Sequence, residues 1–258
     1  PVERVFGGYA VLSALPSRGE RWRTVLAQRD GSADICVLKQ LLGDVAEHET
    51  AVKRFHREAK LAAFLNHRHI ARVLDAGFEG GTFCIAMEYV LGKDLEAMSH
   101  HLVRQGRLLP YPVSLATICG ALSGLSYAHA ATDPSGKPLQ LVHRDLSPRN
   151  VMLSVEGVSK VIDFGVARSD TGDFRTAPGM LVGTLRYVSP EQAVAEPVDA
   201  RSDLYSLSVV LHELLTGHYL VPSGEPMTVL RHVVTESLPP AHVMNPDLPP
   251  RLGEVIAK

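Results

Sequence analysis

The chain has 258 residues, enough for one large domain or two small ones. Its 26 Lys and Arg against 28 Asp and Glu give a net charge of −2, which leaves no electrostatic footprint for nucleic acid or an anionic membrane. Apolar residues at 45% and charged residues at 21% are the values of a folded globular chain and exclude a disordered one. Cys36, Cys84 and Cys119 are widely spaced and form no CxxC pair, so neither a disulfide framework nor a zinc site is expected. They read as core residues in a reducing cytoplasm. No stretch approaches the roughly 18–20 apolar residues of a membrane span, and the first residues lack the order of a signal peptide. The start at Pro1 and a last segment that reads as the opening of a helix suggest a piece of a longer polypeptide.

In chain order, residues 9–15, 23–27 and 35–39 read as short strands separated by polar turns at Gly19 and Asp30-Gly31, an antiparallel meander. Residues 46–65 change period: Val52, Phe55, Ala59, Ala62 and Leu65 recur at spacings near three and four, as on an amphipathic helix. Two further strands are expected over 70–76 and 83–89, joined at Gly80-Gly81. From Asp94 onward the pattern is helical, clearest over 112–131, where Leu115, Ile118, Cys119, Leu122 and Leu125 form a core stripe. Helices are also expected over 202–216 and 227–237. The five prolines of 239–250 predict an ordered surface loop. A strand-rich front joined to a helix-rich back predicts an α+β protein of two lobes, a small one over 1–90 and a larger one over 91–258, with a ligand cleft between them.

The chemistry is concentrated in His143-Arg144-Asp145-Leu146-Ser147-Pro148-Arg149-Asn150, followed shortly by Asp163-Phe164-Gly165. Seven specified residues in this order arise by chance on the order of once in a million such chains. The pair of segments resembles the catalytic and metal-binding loops of eukaryotic-type (Hanks-type) protein kinases, and the resemblance runs from Tyr9 to about Lys258. Phosphoryl transfer needs cations against the phosphates and a carboxylate to orient the attacking hydroxyl. The resemblance gives the carboxylate role to Asp145. It makes Asn150 and Asp163 ligands of Mg²⁺, or Mn²⁺ in its place, both oxygen donors as a hard cation requires. Lys39 looks like the strand lysine that holds the α- and β-phosphates of ATP, and Glu58 like its helical partner. Met87-Glu88-Tyr89-Val90 is similar to the hinge: backbone groups of Glu88 and Val90 would bond adenine, Met87 would guard the rear of its slot, and Val37 and Met152 would form its ceiling and floor.

Further on, Gly183-Thr184-Leu185-Arg186-Tyr187-Val188-Ser189-Pro190-Glu191 resembles the end of an activation segment in its serine/threonine form, implying protein substrates that bear Ser or Thr and disfavouring a small-molecule acceptor. Asp203 matches the aspartate that anchors the catalytic loop. Arg144 is the residue that pairs with an activation-segment phosphate, for which Thr176 is the favoured acceptor, while Thr184 reads as a structural contact to Asp145. Self-association for autophosphorylation is a further implication. The wording HRDLSPRN is similar to bacterial members.

Two departures stand out. The expected glycine-rich loop falls on 16–25, where only Gly19 remains, and a glycine lost there brings side chains between backbone amides and phosphate. Ser147 occupies the usual place of a lysine that neutralises the γ-phosphate, with Arg149 as the nearest candidate substitute. These features define the alternative, a pseudokinase or scaffold that keeps the fold. Taken singly, Lys39, Glu58, Asp145, Asn150 and Asp163 each read as solvated surface groups; their place in one ordered series argues for an active enzyme. The remaining histidines show no metal spacing, and His143 reads as a packing partner of Phe164.

Overall fold

The computed structural model describes residues 4–16, 22–42, 59–79, 82–133, 135–164, 182–222, 224–236 and 239–256. Its front is a six-stranded antiparallel sheet of β1 (Arg4–Val5), β2 (Tyr9–Ala14), β3 (Trp22–Arg29), β4 (Ile35–Leu41), β5 (Val73–Glu79) and β6 (Thr82–Glu88), in the order β1-β2-β3-β4-β6-β5. Strand alternation explains its two apolar faces. Cys36 and Leu38 of β4 join Cys84 and Ala86 of β6 in one cluster, with Val25, Ala27 and Tyr9. The intervening residues, Val37 and Leu41 with Phe83, Ile85 and Met87, form a second cluster capped by Ala59. Lys39, facing Ile85 in the register, therefore lies on this second face, between Val37 and Leu41.

The back is helical: α1 (Leu95–Val103), α2 (Tyr111–His129), α3 (Pro190–Ala193), α4 (Ala200–Thr216), α5 (Pro226–Thr235), α6 (Ala241–Met244) and α7 (Pro250–Ile256). A small sheet of β7 (Gly92–Asp94), β8 (Val151–Ser154) and β9 (Ser159–Val161) lies among them. Single 3-10 helices span Pro148–Asn150 and Val182–Tyr187. The α1 start is capped by Asp94, whose carboxylate accepts from the Ala97 N–H at 2.8 Å. Gly217, at φ +73, ends α4 in the left-handed conformation that glycine adopts without cost. The main core joins α2 and α4 through Ile118, Leu125, Leu207, Val210 and Leu214, with Leu146 and Phe164 of the loop segments packed into it. This is the bilobal α+β architecture expected from the strand-rich front and helix-rich back.

Three expectations are corrected. The strand foreseen from Ile70 begins only at Val73; Ile70 instead bridges Val161 in parallel, and His69 and Ala71 exchange backbone hydrogen bonds with Val161 at 2.9 Å. Ile70 thus belongs to the main helical core, although it precedes two strands of the front sheet. Cys119 is exposed. The face that α2 buries is shifted onto Ser114, Thr117, Gly120, Ala121 and Gly124, because a Cβ at Gly120 would collide with Ser159 and His69. Leu115 and Leu122 are only partly buried there. The proline-rich stretch 239–250 holds the helix α6, and its Ala241 and Leu248 enter the core rather than the surface. The helix expected over 46–65 is described only from residue 59, and the turn at Gly80-Gly81 lies outside the described residues.

Candidate active site

The catalytic loop is held from beneath by one carboxylate. Asp203, 1% exposed in the first turn of α4, accepts the His143 N–H through Oδ2 at 2.8 Å and the Arg144 N–H through Oδ1 at 2.9 Å. His129, at the end of α2, donates its Nε2–H to the same Oδ2 at 2.8 Å. A buried carboxylate with three donors is satisfied, and it fixes two consecutive peptide groups ahead of Asp145. Arg144 holds φ +67, a left-handed conformation that a non-glycine residue keeps only where its surroundings enforce it.

His143 locks the next layer. It is 1% exposed, its Nε2–H donates to the Ile162 carbonyl at 2.9 Å, and its Nδ1 accepts from the Asp145 N–H at 3.3 Å. The first bond leaves the proton on Nε2 and makes Nδ1 the acceptor. Its ring meets Phe164 edge-on at 4.9 Å, the packing partner expected from the sequence. Through His143 the loop carrying Asp145 and the segment carrying Asp163 are placed relative to each other.

On this base the polar groups converge. Asn150 donates Nδ2 to the Asp145 carbonyl at 2.6 Å and stands 3.4 Å from its carboxylate Oδ2. Lys39 Nζ donates to Asp163 Oδ2 at 2.5 Å, joining β4 of the front sheet to a segment 124 residues later. Both partners are largely shielded, at 22% and 16% side-chain exposure. Asp163 also has a positive φ of +65. Among the described residues no three His, Cys, Asp or Glu side chains form a metal cluster. The Asn150 amide and the Asp163 carboxylate are a fitting oxygen pair for a magnesium-like ion, which commonly takes one or two protein oxygens and completes its shell with phosphate and water.

The adenine-side candidates line the junction of the two lobes. Val37 lies opposite Met87 in the sheet register, and Met87 is 6% exposed. The Glu88 N–H is taken by the Arg72 carbonyl at 2.8 Å. Its side chain accepts from the Arg72 N–H and is ion-paired to Lys160 at 2.9 Å. Val90 is buried, and Met152 of β8 pairs with Asp94 and Lys160 across the small sheet. Gly19, Glu58 and Thr176 lie outside the described residues. Thr184 is half-buried in the 3-10 helix Val182–Tyr187.

The structure adds partners that the sequence did not announce. Arg149, the candidate replacement for the missing lysine at Ser147, donates Nε to Glu96 of α1 at 2.7 Å, and Ser147 itself is buried. His129 shares Asp203 with the loop, and no local pattern marks it. Gln192 donates to the Arg144 carbonyl, and its signal was present: Ser189-Pro190-Glu191-Gln192 has the spacing of a capping box. Beside Pro148 a cavity of about 120 Å³ opens between Glu96, His100, Tyr187, Glu213 and Tyr219. Burial pushes the Glu213 carboxyl up to about 7, even though it accepts from the Tyr187 hydroxyl at 2.6 Å. The Tyr187 hydroxyl is itself raised, first by burial and then by Glu213. The Arg186 guanidinium lies 3.9 Å over the Tyr219 ring.

Residues 18–250 match the model of the protein kinase domain. The chain belongs to the protein kinase domain family. Among curated relatives, the tyrosine-protein kinase MasK of Myxococcus xanthus is 34% identical over 260 residues, covering 100% of this chain and 40% of MasK. The serine/threonine-protein kinase PknB of Mycolicibacterium smegmatis is 38% identical over 232 residues, covering 87% of this chain and 35% of PknB. The chain therefore spans two fifths or less of the length of these relatives. Among solved structures, the kinase domain of Mycobacterium tuberculosis PknI is 29% identical with a TM-score of 0.70, covering 98% of this chain and 87% of that one. Kinases of this family use ATP and a divalent metal and act on proteins. No described helix is long and apolar enough to cross a membrane.

Proposed function

We propose that this domain is a serine/threonine protein kinase that transfers the γ-phosphoryl group of MgATP to hydroxyls of protein substrates. The observation that carries the reading is the convergence of Lys39 on Asp163 at 2.5 Å with Asn150 on the Asp145 backbone at 2.6 Å. Lys39 is assigned to the α- and β-phosphates and Asp145 to the acceptor hydroxyl. The new bond joins that oxygen to the γ-phosphorus as the bond to the β–γ bridging oxygen breaks, and the hydroxyl proton passes to Asp145. Asn150 and Asp163 would hold Mg²⁺, or Mn²⁺ in its place, which supplies positive charge against the phosphates. Val37, Met87, Val90, Met152 and the carbonyl of Glu88 are assigned to adenine, Glu58 to Lys39, and Gly19 to the phosphate loop.

The same reading places the nucleotide-binding lobe at 1–90, the substrate-binding lobe at 91–258, and the domain in the cytoplasm. Phosphorylation of Thr176, read by Arg144, would regulate it, with self-association as the route to autophosphorylation; Thr184 is assigned a structural part. The pseudokinase alternative is disfavoured because Lys39, Asp145, Asn150 and Asp163 are all retained, Lys39 bonded to Asp163 and Asn150 to Asp145. A tyrosine acceptor is the second reading, favoured by the name of the relative MasK.

Intact-mass measurement after incubation with MgATP, beside Asp145→Asn, tests the proposal. Phosphate gained by the wild type alone supports it, and fragmentation of the product separates Ser/Thr from Tyr. No gain in either protein contradicts it.

A further inference from the structure

Gln192 sits at the third position of α3, 5% exposed, and both ends of its amide are used. Its Oε1 accepts the Ser189 N–H at 3.2 Å and the Ser189 hydroxyl at 3.3 Å, while Ser189 Oγ accepts the Gln192 N–H at 3.4 Å. This is a reciprocal capping box. The other end donates Nε2–H to the Arg144 carbonyl at 2.9 Å, across 48 residues. The amide orientation follows from its partners, since the Ser189 N–H needs an acceptor and the Arg144 carbonyl needs a donor. A glutamate, the other usual residue at this position of a capping box, would complete the box but could not, when ionised, donate to Arg144.

The Arg144 carbonyl belongs to the peptide bond that leads into Asp145, and Arg144 is the left-handed residue of the loop. Asp203 holds the preceding peptide, through the Arg144 N–H, from α4, and Gln192 holds the Arg144 carbonyl from α3. The N–H of the Arg144–Asp145 peptide, that of Asp145, donates to His143 Nδ1 at 3.3 Å; with only that contact this peptide could pivot about its N–H, and with Gln192 on its carbonyl as well its plane is fixed.

We infer that Gln192 is a positioning residue for phosphoryl transfer: its side-chain amide straps the segment Ser189–Gln192 to the peptide bond that aims Asp145. The inference rests on the kinase reading for its effect on turnover, and on geometry alone for its effect on the loop. A strap of this kind acts on the orientation of the carboxylate toward the acceptor and leaves nucleotide binding untouched, because Lys39 and Asp163 pair with each other and neither bonds to Gln192 or to the Arg144 carbonyl.

The test compares Gln192→Glu, Gln192→Met and Ser189→Ala with the wild type. Gln192→Glu retains the acceptor end of the capping box and loses the donor to Arg144. Gln192→Met keeps the length without any buried charge, should the glutamate impair folding. Ser189→Ala removes the cap hydroxyl and leaves the strap. Two readouts are taken: amide hydrogen exchange of residues 143–146, and steady-state phosphorylation of a Ser/Thr peptide. The expected result is faster exchange in both Gln192 variants, with kcat lowered about tenfold and KM for ATP unchanged, while Ser189→Ala resembles the wild type in both. Unchanged exchange in the Gln192 variants, or equal effects from Ser189→Ala, would overturn the strap. If exchange responds as expected but the wild type transfers no phosphate, the strap stands and the kinase reading fails.

Discussion

The front sheet and the catalytic loop position their functional side chains by opposite means. Lys39 is placed by strand register: its neighbours Leu38 and Leu41 are buried in the two apolar faces, and alternation alone sends the lysine to the cleft side. Asp145 is placed by a buried polar network in which Asp203, His143 and Gln192 fix backbone groups and His129 holds the Asp203 carboxylate. Apolar packing is roughly proportional to area and tolerant of small shifts, whereas hydrogen bonds are directional and costly to leave half-made. Damage to the sheet should therefore appear first as lost stability, and damage to the loop as lost geometry.

The largest effect is expected at the loop. Asp203→Ala leaves two buried N–H groups and His129 without their acceptor, and chemical denaturation should show a loss of about 3–5 kcal/mol. Turnover should disappear even in the fraction that stays folded. Leu38→Ala, fully buried in the sheet, is expected to cost about 3 kcal/mol through its cavity. Here kcat of the folded fraction should stay near that of the wild type. If the two substitutions lowered kcat alike, the contrast between register and network would be broken.

Glu213 sharpens the comparison through pH. Its carboxyl is raised from 4.5 to about 7 by burial, so the folded protein binds a proton that the unfolded chain has released. That contribution to stability is fully present below about pH 4.5 and is lost as pH rises through about 7. Relative to Glu213→Gln, the wild type should lose about 3 kcal/mol between pH 4.5 and 8. Parallel stability curves for the two proteins would contradict this account of the buried pair with Tyr187. The smallest effect is expected from Arg201→Ala. Its ion pair with Asp199 is largely solvent-exposed, and the melting temperature should not move beyond measurement error.

The candidate catalytic residues stand out in the sequence because their spacing is local: Asp145 and Asn150 lie five residues apart, and Asp163 follows within one β8–β9 hairpin. Five of the six strands of the front sheet were legible from alternation, with errors of a few residues at their ends; the two-residue β1 was not, being too short to show a period. Ile70 misled because an apolar β-branched residue before a strand looks like its first member, while its bridge to Val161 lies 91 residues away. Cys119 misled because helical spacing identifies a stripe but not which edge of it meets a neighbour, and here the glycines of α2 draw the contact to one side. Asp203 was found through the family resemblance. His129 and Glu96 were not, since each acts on a partner 74 or 53 residues away, and Gln192 showed in the sequence only its local capping-box spacing, not its reach to Arg144 48 residues away. Polar anchoring of this range has no periodicity to read.

The proposed chemistry divides labour between two carboxylates, with Asp163 serving the metal and Asp145 the acceptor hydroxyl. Calorimetric titration of ATP with and without Mg²⁺, into the wild type, Asp163→Asn and Asp145→Asn, tests it most directly. Mg²⁺ is expected to tighten ATP binding to the wild type and to Asp145→Asn, and this gain to be lost in Asp163→Asn. A gain that survives in Asp163→Asn, or one that disappears in Asp145→Asn, would contradict it.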